Sequence, residues 1–332
     1  MAKKKILAVP EGGIFLKRDV EILKNHFEVR TAPTFNRKKP IRTLPSIFKI
    51  LKGTLWADVT FSWFADTHTF LAVLFSKIFR KKSVVVASGY SVAAMPEIKY
   101  GAMRGGISSW VVKFILRHAP KVLAVSEFNM KEILKYIESG KVKLVYHSVD
   151  SDEFKPAGEK QRNLVVTTGN VMRSNLTRKG LETFVKSARF LPEVEFILIG
   201  RSMDDSADYL KSIATSNVKF TGYIPSKELI NYYQRAKVYV QVSMHESFGI
   251  ALAEAMLCEC VPVVTNTTAL PEVVGDTGFY VPYGDPEATA KAISKALNCD
   301  KGKEARERIK RMFPPEKRER ELIAEIQELL ET

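Results

Sequence analysis

Cysteine is scarce in this chain of 332 residues, which has only Cys258, Cys260 and Cys299. The first two form a C-E-C, too close for an unstrained disulfide and without partners at metal-ligand spacing. This excludes a disulfide scaffold and leaves three reduced packing residues, as expected in the cytoplasm. Long apolar runs are also missing. No stretch approaches the roughly 18 residues needed to span a bilayer. The basic start, MAKKKILAVP, leads into only ILAV, too short for the core of a signal peptide, so Lys5–Val9 is expected to be a buried strand. No spaced His/Cys/Asp cluster occurs and no D-x-D sits after a strand with a site beside it, so no metal is expected. Asp204–Asp205 falls in a polar loop and reads as solvated. Internal repeats and low-complexity tracts are absent.

Acidic residues are scarce in one half only. Residues 1–155 hold 27 Lys and Arg against 13 Asp and Glu, whereas the remainder holds 24 of each, so the whole net charge of +14 lies in the first half. That half is expected to meet something acidic: an anionic membrane surface, a phosphorylated acceptor or, less favoured, nucleic acid. Nucleic acid is disfavoured because the basic runs Arg37–Lys39 and Arg80–Lys82 lack interleaved aromatics. Arg37–Trp56, RKKPIRTLPSIFKILKGTLW, mixes six basic residues with Ile, Leu, Phe and Trp. It reads either as an interfacial segment or as a core helix with solvated charges.

The length suits two domains of roughly 150 residues. Strand patterning at Lys5–Val9, Phe27–Thr31, Val59–Trp63, Ser83–Ala87, Val122–Val125 and Val142–Tyr146 alternates with helical patterning at Val20–Asn25, Thr69–Phe79, Ile107–His118 and Asn129–Ile137. The second half restarts with Leu164–Thr168, and the polar stretch Ser151–Gln161 reads as the linker. The expected division is 1–155, 156–314 and a charged amphipathic helix at 315–332.

The most informative stretch is His245–Pro271, HESFGIALAEAMLCECVPVVTNTTALP. Glu246 and Glu254 stand where the strand Ala236–Val242 hands over to a helix starting near Phe248–Gly249, and a second buried strand, Val261–Val264, follows. In a parallel sheet this junction is the carboxyl end of a strand, where ligands bind. The amides of Ser247, Phe248, Gly249 and Ile250 open the helix and favour an anion. The chemistry suggested is a nucleotide-sugar site, with one carboxylate on sugar hydroxyls, the other on a ribose diol, and helix amides near the diphosphate. An ordinary strand–helix unit with a surface Glu and a helical Glu is the bland alternative.

E-S-F-G-I-A-L-A-E-A-M, then V-P-V-V, L-P-E-V-V-G-D and G-F-Y-V-P-Y-G-D-P-E, resembles the donor-site signature of the retaining GT-B glycosyltransferases of family 4, the glycosyl transferases group 1. The match is strong over the second half and weak over the first. It implies an α/β fold of two Rossmann-like doubly wound domains facing across a cleft, with the last helix crossing back to the first domain. It also implies that Glu246 contacts the donor sugar and Glu254 the ribose. Gly169–Gly180, GNVMRSNLTRKG, resembles the diphosphate-holding loop, with Lys179 as its lysine. The family's arginine follows the glycine, where this chain has Asn170; Arg173 is the first substitute and Arg178 the second. Gly222, Tyr223 and Ile224 resemble the loop that pairs with the nucleobase. Thr268–Pro271 resembles a loop closing the donor pocket, with Glu272 a cap or a ligand. In the first half, Gly12 and Gly13 resemble a glycine loop near phosphate or acceptor, and are equally a plain turn. Where relatives carry a His or Asp facing the sugar, this chain offers Ser88, Tyr90 and Ser91, with His68 a possible substitute. His245 reads as orienting a neighbour.

The implied activity is retaining transfer of a hexosyl group from a nucleotide-diphosphate sugar to an acceptor hydroxyl, on a glycan or a lipid carrier. No metal or other cofactor is implied, and the place implied is cytoplasmic or on the inner face of the membrane. The rivals are a GT-B epimerase or phosphorylase, and a non-enzymatic nucleotide-sugar or nucleic-acid binding module.

Overall fold

A computed structural model of the chain describes residues 3–10, 14–32 and 43–331. Gly12, Gly13 and positions 37–42 of the basic stretch lie outside the described residues. The chain divides into two compact units, residues 1–146 with 316–332, and residues 147–315. The polar stretch 151–161 therefore falls within the second unit.

The first unit contains β1 (Lys5–Val9), β2 (Glu28–Thr31), β3 (Val59–Trp63), β4 (Lys82–Val86), β5 (Lys121–Ala124) and β6 (Val142–Leu144), parallel in the order β2-β1-β3-β4-β5-β6. β3 is buried at every position, because helices cover both faces of a parallel sheet. Its helices are α1 (Ile14–His26), α2 (Thr43–Trp56), α3 (Thr67–Ile78), α4 (Gly106–His118) and α5 (Glu127–Leu134). Asp66 caps α3 by accepting from the amides of His68 and Thr69. Arg37–Trp56 thus resolves into a helix from Thr43 onward.

The second unit contains β7 (Gln161–Thr168), β8 (Glu195–Ile199), β9 (Val218–Gly222), β10 (Ala236–Gln241), β11 (Val261–Thr265) and β12 (Phe279–Val281), parallel in the order β12-β11-β10-β7-β8-β9. Its helices are α6 (Arg173–Arg178), α7 (Leu181–Ser187), α8 (Ser206–Ile213), α9 (Ser226–Arg235), α10 (Ile250–Leu257), α11 (Leu270–Val274), α12 (Pro286–Leu297) and α13 (Gly302–Met312). The β-branched cores of β7, β10 and β11 pack through Phe184, Phe196 and Ile293 into one cluster.

The last helix, α14 (Pro315–Glu331), belongs with the first unit from Glu316 onward. Arg318 fastens it there. Its Nε and Nη2 donate to the two oxygens of Asp19 on α1, each at 2.7 Å. Trp63 Nε1 donates to the same carboxylate at 2.7 Å, and Arg318 Nη1 donates to the Tyr146 carbonyl at 2.6 Å. Nearer solvent, Lys121 Nζ meets Glu325 and Glu328 of α14 at 2.5 and 2.7 Å. Those carboxylates hold the Lys121 ammonium above its ordinary value although burial opposes them.

Candidate active site

In the second sheet the strand order reverses between β7 and β10, so helices from these two strands leave on opposite faces. A doubly wound sheet opens a crevice at that point, beyond the carboxyl ends of its strands. Three strand ends form one wall here: Thr168 to Asn170 after β7, Ile199 to Arg201 after β8, and Gly222 to Ile224 after β9. With Asn175, Arg178, Lys179 and Leu229 they line a cavity of about 360 Å³.

Glycine is required where the chain turns back toward this cavity. Gly180 has φ +66°, and a Cβ there would stand 2.0 Å from the Val242 carbonyl oxygen just past β10. The close approach seats Lys179 against the strand ends. A Cβ on Gly169 would press on the Lys179 stem at 2.9 Å, so this glycine too clears the lysine's path.

On the β10 side, Glu246 lies between the strand and α10. Its Oε2 is 3.7 Å from Lys179 Nζ, with both side chains mostly buried. Gln241 Nε2 donates to the same oxygen at 3.2 Å, and the Ser247 amide donates to Oε1 at 3.2 Å. Behind Gln241, the Tyr239 hydroxyl shares a 2.7 Å hydrogen bond with Thr168 Oγ1. Burial raises that phenol well above its ordinary value, with Glu254 and Glu246 adding to the rise against the hydrogen bond from Thr168, so it remains a neutral hydroxyl. Burial also lowers the Lys179 ammonium from its ordinary value; Arg178 reinforces this, and Glu246 opposes it. The pair is a partly desolvated cation and carboxylate, of which Lys179 lines the cavity.

The structure also separates the candidate cations. Arg178 lies in the cavity wall, where its Nη2 donates to Asn175 Oδ1 at 2.8 Å and its Nη1 to the His245 carbonyl at 3.4 Å. Arg173 opens α6, is exposed, and does not line the cavity; its amide donates to Asp204 at 3.0 Å. Asp204 also accepts from the Ser206 amide at 3.0 Å, and these bonds lower its carboxyl below the ordinary value. Arg201 is a further cation in the wall that the sequence reading did not single out, although it follows a glycine at a strand end. Its guanidinium stacks 4.8 Å over the exposed ring of Tyr223.

The helix bearing Glu254 starts at Ile250, a residue or two later than its pattern suggests. Gly249 stands before it in a left-handed conformation, and no side chain caps the amino end. Ser247 and Phe248 precede this entry, and Phe248 is buried. Glu254 is partly buried on α10, and its charge helps raise the Tyr233 hydroxyl, whose main perturbation is burial. His245 is buried. Thr268 holds φ +59°, unfavourable for a β-branched residue, and the next amide, of Ala269, reaches the Glu246 carbonyl at 3.4 Å. The Glu272 carbonyl accepts from Arg308 Nη2 at 2.8 Å.

In the first unit, Tyr90 and Ser91 form a short 3-10 turn beyond β4. Ser91 Oγ accepts from the Ala65 amide at 2.9 Å, and the half-exposed Tyr90 ring meets Tyr100 edge-on at 5.3 Å. His68 lies 3.3 Å from the capping carboxylate of Asp66. The three cysteines are free thiols, and burial pushes Cys258 up to about 12. Among the described residues no cluster of His, Cys, Asp or Glu could hold a metal ion, and no helix is long and apolar enough to cross a membrane.

Residues 162–299 match the family model of the glycosyl transferases group 1. The chain is 37% identical over 87 residues to the O-antigen chain mannosyltransferase B of Escherichia coli, covering 26% of this chain and 23% of that protein. It is 26% identical over 245 residues to the alpha-maltose-1-phosphate synthase of Mycolicibacterium smegmatis, covering 64% and 62% respectively. It thus spans less than two thirds of the length of either relative. Among solved structures, sucrose-phosphate synthase from Thermosynechococcus elongatus superposes with a TM-score of 0.80 at 19% identity, over 99% of both chains. Anabaena HepE in complex with UDP and glucose does so with a TM-score of 0.78 at 16% identity, over 98% of this chain and 99% of that one. The fold is therefore the α/β fold of GT-B glycosyltransferases, and the segment that builds the cavity is the one that matches glycosyl transferases group 1.

Proposed function

We propose that the protein is a retaining glycosyltransferase that moves a hexosyl group from a nucleotide-diphosphate sugar to an acceptor hydroxyl, as in family 4. The observation that carries this reading is the Lys179–Glu246 pair at the reversal point of the second sheet, with Arg178 and the uncapped start of α10 close in sequence and space. A departing diphosphate develops negative charge on its bridging oxygen. Lys179, Arg178 and the helix amides would meet it in a site where charge is poorly screened by water. Glu246, held by Gln241 and the Ser247 amide, is placed to accept hydrogen bonds from sugar hydroxyls. Glu254 is the candidate for the ribose diol, and the loop Gly222–Ile224 for the base. The solved neighbour that holds UDP and glucose supports a nucleotide-sugar donor of this kind. Transfer would follow the front face, with the acceptor hydroxyl attacking from the side the diphosphate leaves and passing its proton to the leaving phosphate oxygen. No side-chain base is needed in that scheme. The phosphate charge is met by protein cations, so the reaction is proposed to run without a metal. The acceptor is a glycan or, as the charge of the first half favours, a hydroxyl carried on a lipid at the inner face of a membrane.

Two measurements test this reading. In a panel of UDP-, GDP- and ADP-sugars, one donor should raise the melting temperature, and transfer from it should keep the anomeric configuration in the presence of a chelator. Inversion, or an absolute need for a divalent ion, would refute the mechanism. Donor binding should also weaken on the alkaline side at a pH below the ordinary lysine value of 10.5, because burial lowers Lys179 and only its protonated form pairs with diphosphate. Lys179→Arg should move that limb upward. An unchanged limb would show that another group titrates.

A further inference from the structure

The outer layer of the first unit exposes large apolar residues in addition to those it buries; α4, for instance, packs Val112, Ile115 and Leu116 inward in the ordinary way. The connections β2 to β3, β3 to β4 and β4 to β5 step the same way along the sheet, so right-handed crossovers put α2, α3 and α4 on one face. α2 packs on α3, and α3 packs on α4. A helix covering a sheet normally turns its large apolar residues inward. In α2 the inward positions are Ser46, Ile50 and Thr54, whereas Leu44, Phe48 and Leu55 are 74%, 56% and 50% exposed. α3 buries Thr69, Ala72, Val73 and Ser76 and leaves Ile78 59% exposed at its end. α4 presents Ile107 and Trp110, 83% and 59% exposed.

On these three helices the charge has one sign; α5, which the β5-to-β6 crossover puts on the same face at the sheet edge, carries Glu127 and Glu132. None of the three helices contains an Asp or Glu, while Lys49, Lys52, Lys77, Lys113 and Arg117 are exposed on them. Lys52 Nζ lies 4.9 Å over the Phe48 ring, and Lys77 Nζ stands 3.1 Å from His118 Nδ1. Burial lowers His118, and Lys77, Lys141 and Arg117 lower it further.

We propose that this outer face of α2, α3 and α4 is the surface by which the protein lies on an anionic lipid bilayer. Aliphatic side chains and an amphipathic indole suit the headgroup boundary, and the cations suit its negative potential. The exposed aliphatic side chains Leu44, Leu55, Ile78 and Ile107 outnumber the aromatic Phe48 and Trp110, which suits acyl chains better than stacked nucleobases. A second copy would set this positive face against itself. The surface holds irrespective of the reaction catalysed. Its consequence, that the acceptor hydroxyl is borne on a membrane lipid, rests on the transferase reading.

Vesicle sedimentation of the full chain tests it. The protein should pellet with phosphatidylcholine vesicles containing one third phosphatidylglycerol, less so at high salt, and far less with pure phosphatidylcholine. Lys49→Ala with Lys52→Ala should weaken partition on the order of twentyfold, at about fivefold for each cation. Ile107→Ser with Trp110→Ser should weaken it at every salt concentration; Trp110 also packs on Phe70 and Phe114, so Ile107→Ser alone, at the more exposed position, is the variant whose melting temperature should hold. Equal pelleting with neutral vesicles, no pelleting, or variants that bind like the parent would overturn the surface. So would a dimer abolished by the Ile107/Trp110 variant, or tighter binding to an oligonucleotide or an acidic protein than to the vesicles. Vesicle binding without stabilisation by any nucleotide sugar would instead leave the surface standing and remove the transferase reading.

Discussion

Lys179→Ala should lower the rate of transfer by on the order of 10²–10³-fold while leaving the melting temperature within a few degrees. That is the usual loss when a single positioned charge-stabilising group is removed. Lys179 is well suited to such a role because Gly180 and Gly169 exist to admit it. Replacing the lysine leaves their backbone geometry untouched, so the fold has no reason to fail. The remaining Glu246 carboxylate keeps its bonds from Gln241 and the Ser247 amide. Glu246→Ala should fall comparably in rate, by removing the group placed for the sugar. Glu254→Ala should instead weaken binding of the free nucleotide more than it slows the chemical step. Steady-state kinetics with nucleotide titrations of the three variants separate these roles. Near-normal turnover in a folded Lys179→Ala protein would refute the phosphate assignment, and unchanged nucleotide binding in Glu254→Ala the ribose assignment.

Arg318→Ala should destabilise the first unit by about 3–5 kcal/mol, the usual consequence of leaving one partner of a buried ion pair unpaired. Arg318 and Asp19 side chains are 5% and 1% exposed, so neither charge can be rescued by solvent. Asp19 would keep only the indole N–H of Trp63, and the Tyr146 carbonyl would lose its guanidinium donor. The double variant Asp19→Leu/Arg318→Met should recover much of the loss, because no charge then remains buried. Chemical denaturation followed by probes in each unit measures this, since two units need not unfold together. A loss below about 1 kcal/mol in Arg318→Ala would mean that α14 is held by its apolar face alone.

Much of this molecule was legible before the structure. Val261–Val264 read as a buried strand and Val59–Trp63 as a strand because valine, threonine and aromatic residues dominate them, as suits a parallel sheet covered on both faces. Glu246 and Lys179 stand out through glycine-marked helix entries within segments that resemble the family's donor loops, and the structure brings the two side chains within 3.7 Å. Three things were not legible. Arg178 and Arg173 are five residues apart in one loop sequence, and only the path of α6 puts the former in the cavity wall and the latter in solvent. Gln241 and Tyr239 look like ordinary strand residues. Their polar ends become part of the site because β10 lies beside β7, nearly 70 residues earlier in the chain. The reach of Arg318 to Asp19 spans almost the whole sequence, and no local pattern announces it.

The amphipathic stretch from Arg37 to Trp56 shows where the division falls. Composition alone allowed a core helix with solvated charges or an interfacial one, since both have the same spacing of apolar and basic residues. The sequence determined that the segment is amphipathic and free of acid. Tertiary structure decided which stripe faces the sheet. α2 turns Ser46, Ile50 and Thr54 inward and leaves Leu44, Phe48 and Leu55 outward. Periodicity reports that a helix has two faces; which one is covered depends on the volume its neighbours leave.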